Sequence, residues 1–125
     1  MNLVEVYDKV ESHLLSLGDI DIQTGREFSY EYEEETRYHI IKIPPKSKHT
    51  LSGIIGLIHE YGHARSPKTP FLDIGGKPLV LEREFKAWEI GRKLLSKLNL
   101  KELDKEYCKE WHRCWSTYID FENYR

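Results

Sequence analysis

His59-Glu60-Tyr61-Gly62-His63 lies in a run that is otherwise apolar and uncharged, with Ile54, Ile55, Leu57 and Ile58 before it and Ala64 after it. Such a run reads as a buried helix, here from about Thr50 to Arg65. Residues four apart share one helix face, so His59 and His63 can present two imidazole nitrogens to a single tetrahedral Zn²⁺. Glu60 follows the first histidine directly. That position carries its carboxylate beside the metal, where it can take a proton from bound water without becoming a ligand. Ser52, Gly56 and Gly62 are small; Ser52 and Gly56 fall on the histidine face and leave room there, at a cost in helix propensity. The pattern predicts a zinc hydrolase.

Two imidazoles do not complete a site, and a third ligand is sought downstream in Leu81-Glu82-Arg83-Glu84-Phe85-Lys86-Ala87-Trp88. Residues Val80 to Leu98 predict a second helix with an apolar stripe of Leu81, Phe85, Trp88 and Leu95, flanked by Ile90, Leu94 and Leu98. At about 100° per residue, Glu84 falls inside that stripe and Glu82 points well away from it. A buried carboxylate needs a compensating partner, and a metal ion supplies one. Ala87 and Gly91, at i+3 and i+7 from Glu84, leave space for the first helix to approach. Glu84 is therefore the expected ligand, with Glu82 as its rival.

These residues resemble a family. His59 to His63, the preceding Ile54-Ile55-Gly56-Leu57-Ile58 run, and Glu84-Phe85-Lys86-Ala87, which looks like an E-x-x-A element, make the chain similar to minimal zincin metallopeptidases of the gluzincin type, the ImmA/IrrE-like group above all. The resemblance spans roughly residues 38–95. It implies a zincin-like fold, zinc held by His59, His63 and Glu84, Glu60 as general base, and cleavage of a specific regulatory protein in a bacterial or phage setting. The spacing found in larger aminopeptidase-like gluzincins would select Glu82 instead. Two positions depart from the pattern. Arg65 stands where an apolar residue is usual, and Trp88 replaces the Asp or Asn that often follows E-x-x-A. An indole donates but does not accept, so an acceptor for a ligand histidine must come from elsewhere.

The rest of the chain frames this core. With 125 residues, one domain spanning 1–125 is expected. Charge is nearly balanced, 19 Lys+Arg against 21 Asp+Glu, which argues against nucleic acid or an acidic membrane as partner. No signal-like or 18-residue apolar run is present, and a cytoplasmic location is expected. Cys108 and Cys114 lie about 240° apart on a predicted helix and read as reduced thiols. Leu3, Val6, Tyr7, Val10, Leu14 and Leu17 predict an amphipathic helix, opened by Asn2 with Glu5 and closed by Gly18. His13 sits at its edge as a half-buried histidine.

Phe28 to Tyr32 and Tyr38 to Ile43 predict a hairpin around an acidic, solvated turn, and Pro44-Pro45 ends its second strand. Tyr38 to Ile43 is expected to be an edge strand that holds extended substrate. Residues 66–78 read as a Pro- and Gly-rich loop, lid or spacer, in which Asp73 is a weaker fallback ligand. Asn99 with Glu102 is expected to open a helix to about Phe121, its inner face formed by Leu100, Leu103, Tyr107, Trp111, Cys114, Trp115 and Tyr118. Cys108 and His112 are also four apart but lack further ligands. His49, Tyr107 and His112 are candidate donors to a transition state.

The expected architecture is α+β and zincin-like, with three main helices and a short antiparallel sheet. The expected function is zinc-dependent hydrolysis of a peptide bond in a specific protein substrate. The alternative is a zinc-bearing but catalytically inert protein-interaction module.

Overall fold

The computed structural model describes residues 2–66 and 77–123. Four helices and three strands follow in the order α1 (Leu3–Ser16), β1 (Ile20–Thr24), β2 (Ser29–Glu33), β3 (Tyr38–Ile43), α2 (Leu51–Arg65), α3 (Lys77–Lys97) and α4 (Asp104–Asn123), with single 3₁₀ turns at Pro45–Ser47 and Lys101–Leu103. The described residues are α+β, and their four helices are the three main ones expected, α2, α3 and α4, with the expected N-terminal helix α1. The loop expected over residues 66–78, Asp73 included, lies largely outside the described residues.

α1 keeps both expected caps. The Asn2 side chain accepts from the Glu5 backbone N–H at 3.2 Å, and Gly18 adopts φ +86 just past the helix. Its buried stripe is Val6, Tyr7, Val10 and Leu14; Leu17, expected on it, is exposed because it lies beyond the last turn. His13 is half-buried, as expected.

The sheet is mixed, not antiparallel. β2 pairs with β3 as the expected hairpin, but β1 lies parallel on the other side of β3, giving the order β1-β3-β2. β3 is therefore central and cannot take a further strand, so the expectation that Tyr38 to Ile43 forms an edge is overturned. β1 and β2 are the two edges instead, and β2 is the one on the side of His63, on which its Tyr30 stacks. The missed strand, Ile20-Asp21-Ile22-Gln23-Thr24, alternates β-branched and polar residues, a signal readable in advance. Ile20, Ile41 and Ile43 bury against the helices in one core with Val10, Leu14, Ile54, Leu57, Ile58, Trp88, Leu95, Leu103 and Tyr107.

α2 starts at Thr50, whose hydroxyl accepts from the Gly53 N–H at 3.0 Å. Apolar on most sides, it is packed by the sheet, α1 and α3. The α2–α3 approach is close enough that a Cβ on Gly62 would stand 1.9 Å from the Ala87 carbonyl oxygen. Backbone cannot yield as a flexible side chain can, so only glycine lets the two helices meet there. Gly91 instead leaves room for side chains, the Tyr107 hydroxyl of α4 and the Ile58 side chain of α2. The glycine and alanine spacing noted in the sequence is what sets the distance between the helices.

α3 begins three residues before the expected Val80, since Pro78 in a first turn costs no hydrogen bond. Phe85, expected in its stripe, is 42% exposed; the buried stripe runs through Ala87, Trp88, Gly91, Leu94 and Leu95. Phe85 leans outward against Trp111 and Trp115 of α4. Asn99 does not open the last helix. At φ 58 it ends α3, with Asn99 N–H donating to Ser96 C=O at 3.2 Å and Leu100 N–H to Leu95 C=O at 2.8 Å, a Schellman closure. Leu100, Leu103 and Tyr107 are buried on the inner side as expected; the side chain of Tyr118 lies outside the described part. No helix among the described residues is long and apolar enough to cross a membrane.

Candidate metal centre

α2 carries His59 and His63 one turn apart, their rings edge to face with centroids 4.7 Å apart. The close α2–α3 packing then delivers Glu84 from the facing helix. A single carboxylate oxygen, Oε2, lies 3.0 Å from His59 Nε2 and 3.3 Å from His63 Nε2. With bonds of 2.0–2.1 Å, the ligand atoms of a tetrahedral zinc stand about 3.3 Å apart, so these separations are already close to the edges of that polyhedron. His59, His63 and Glu84 form the group of three metal-capable side chains found among the described residues, their donor atoms all within 4.8 Å of one another. Two imidazoles and one carboxylate are a donor set suited to zinc with one position left open. Glu82 lies on the exposed side of α3 and outside this group.

Electrostatics tie the three together. Burial pushes the Glu84 carboxyl up, but hydrogen bonds and charge from His59 and His63 outweigh it and hold that carboxyl well below the usual range. Burial lowers the His63 pKa, and Glu84, by hydrogen bond and charge, more than reverses this and raises it. Glu60 is the one charged residue among the described residues that is buried, at 7% exposure. Burial raises its pKa, the charges of His59 and His63 lower it in part, and Glu84 adds to the rise. A buried carboxylate of raised pKa at the wall of a cleft is the environment in which general bases are found.

That cleft, of about 630 Å³, runs from His59 and Glu60 along α2 toward its N-terminus, past Gly56, Ile55, Ser52 and Leu51. Phe28 forms one side, its ring 2.3 Å from where a Cβ on Gly56 would stand, so the space at Gly56 admits an aromatic edge. α4 forms the other side with Glu106, Lys109, Glu110 and Arg113. These charges pair within the helix, Lys109 with Glu106 and Arg113 with Glu110.

Other expected participants are engaged elsewhere. His49 pairs with Asp8 of α1 at 3.0 Å, the Tyr107 hydroxyl donates to the Trp88 carbonyl at 2.7 Å, and His112 is exposed beside Phe85, Trp111 and Trp115. Cys108 and Cys114 are both free thiols. The sequence reading missed Tyr30 and Phe28. Tyr30 stacks on His63, centroids 6.2 Å apart, while its hydroxyl meets His39 Nδ1 at 2.7 Å. Strand alternation places Tyr30 on the inner face, but nothing local says what it meets there.

Arg65, the departure at the end of the motif, has a structural task. Its guanidinium grips Asp19 in two hydrogen bonds of 2.7 and 3.0 Å, fastening the end of α2 to the start of β1. The Arg65 hydrogen bond lowers the Asp19 pKa, against the upward push of burial and with further help from the Arg65 charge. A depressed carboxyl contributes stability above its unfolded pKa and loses it as pH falls through its folded one. Asp19→Asn should therefore lower the melting temperature at pH 7, by an amount reflecting about 1 kcal/mol or less because the pair is partly solvated. The gap from wild type should narrow as pH falls below the ordinary carboxylate range and close only once the depressed folded carboxyl is itself protonated. Thermal melts across pH check this; a gap of constant size would show that the carboxylate charge is not what matters.

Comparison of this chain with protein families, with curated proteins and with solved structures finds no match.

Proposed function

We propose that this chain is a zinc-dependent metallopeptidase of the zincin kind, similar to the ImmA/IrrE-like group, cleaving a specific protein substrate. The observation that carries this is the convergence of His59, His63 and Glu84 from two helices, at separations close to those of tetrahedral zinc ligands, with the buried Glu60 beside them. Zinc held by these three residues would supply Lewis acidity, bringing the pKa of water toward about 7 and polarising a carbonyl. Glu60 does the proton work: its carboxylate takes a proton as the peptide carbon is attacked and returns it to the leaving nitrogen. No covalent bond to the protein forms.

Substrate would enter as an extended segment. Among the described residues β1 and β2 each have one side unpaired, and β2, whose Tyr30 stacks on His63, is the edge next to the site where a strand can be held by sheet addition. The adjoining cleft then takes side chains. Phe28, Leu51 and Ile55 give it an apolar lining, and the α4 charges facing it are already paired, which favours apolar substrate residues next to the cleaved bond over charged ones.

Purified protein should carry about one zinc per chain, as the His₂Glu donor set found among the described residues requires. Incubated with proteins of a host lysate, it should generate new termini that a chelator abolishes and added zinc restores. Protein free of zinc, or termini indifferent to the chelator, would sink the proposal.

A further inference from the structure

A histidine that binds a metal through Nε2 is ordinarily oriented by an acceptor on Nδ1. Among the described residues His59 has none: its Nδ1 is buried without a hydrogen-bond partner there, and so is the Nε1 of neighbouring Trp88. With Nε2 on a metal, Nδ1 carries the proton, and the indole N–H, a donor only, cannot receive it. The contact between the two residues is instead ring against ring, tilted, with centroids 4.1 Å apart and planes inclined by 31°.

Trp88 is itself held firmly. It is 2% exposed, stacked on Trp111 with planes 8° apart, and met edge-on by Tyr107 at 5.1 Å. The Tyr107 hydroxyl donates to its carbonyl, so the backbone of α3 is pinned at the same residue. Trp88 follows Glu84 by four positions, and one face of α3 therefore presents both the carboxylate and the indole to the His59 ring. An imidazole bound to a cation is electron-poor, and the face of an indole is electron-rich.

We propose that Trp88 is the positioning residue of the His59 ligand, fixing and electrostatically supporting the imidazole through its ring face in place of a hydrogen-bond acceptor. This rests on the zinc site proposed above and adds to it a reason why an indole stands where the related pattern has Asp or Asn.

Zinc affinity measured against a competing chelator tests it. Trp88→Leu, which keeps apolar bulk but has no ring, should weaken zinc binding about tenfold or more, the usual cost of losing a supporting group. Trp88→Phe, which keeps a ring face and has no N–H, should stay within about threefold of wild type, since an aromatic face retains much of the attraction. In the cobalt-substituted proteins, the visible absorption of Trp88→Phe should match wild type and that of Trp88→Leu should shift. Wild-type affinity in Trp88→Leu, or equal losses in both variants, would overturn the proposal while leaving the zinc site standing. Wild-type protein that takes up no zinc would remove both.

Should Trp88→Leu fail to fold, wild-type protein decides. Zinc titration should move the Trp88 indole N–H resonance, assigned by its absence from Trp88→Phe, more than those of Trp111 and Trp115. A resonance that stays fixed while zinc binds would overturn the proposal.

Discussion

Glu60→Gln is expected to bind zinc as wild type does and to lose peptide hydrolysis by a factor on the order of 10² to 10⁴, the usual contribution of a positioned base. Glutamine keeps the size and the hydrogen-bonding reach of the side chain but accepts no proton at neutral pH. Glu60 does not belong to the ligand group, so the metal should be retained, and a neutral side chain suits a site that already disfavours charge by burial. The raised pKa adds a signature. A base works only when deprotonated, so wild-type activity should fall with decreasing pH through a group titrating above the ordinary carboxylate range, and that limb should vanish from the residual rate of Glu60→Gln. Zinc content, a melting curve and a count of new termini from lysate proteins make the test. Equal cleavage by both proteins would remove Glu60 from the role of base. A binding partner retained equally by both, with no cleavage under any condition, would favour a zinc-bearing interaction module.

His59→Ala, His63→Ala and Glu84→Ala should each lower zinc affinity by more than the roughly 100-fold that loss of a merely supporting residue costs, because each deletes one of the three proposed ligands. Glu82→Ala should leave it unchanged. The two glutamates sit on one helix about 200° apart, and the close contact of Gly62 with the Ala87 backbone sets which of them faces α2. Glu84→Ala also strips His63 of the carboxylate that raises its pKa, so in that variant the imidazole should lose its proton at lower pH, visible in its proton resonances. Isothermal titration of the four variants with zinc separates the cases. Loss of zinc in Glu82→Ala with retention in Glu84→Ala would reverse the assignment of the third ligand.

What could be read from the sequence by itself was what depends on neighbours along the chain. Helical phase put His59 with His63, separated Glu84 from Glu82, and marked Ala87 and Gly91 as points of close approach. Asn2, Gly18 and Thr50 end or begin helices through local hydrogen bonds, and the β2–β3 hairpin needs only its own turn. These hold because 3.6- and 2-residue periods and capping chemistry act over a few residues. Tertiary structure decided the rest. The parallel pairing of β1 with β3 joins segments separated by a whole strand, and it makes β3 central and leaves β1 and β2 as the edges. Periodicity says that Trp88 faces inward but not that the His59 ring waits there, nor that Phe28 fills the space left by Gly56. Asn99 can begin one helix or end another by the same local preferences, and the burial of Leu100 and Leu103 against the core favours the ending. Which surface lies opposite a given face is set by packing that satisfies the whole core at once, and no window of neighbouring residues contains that information.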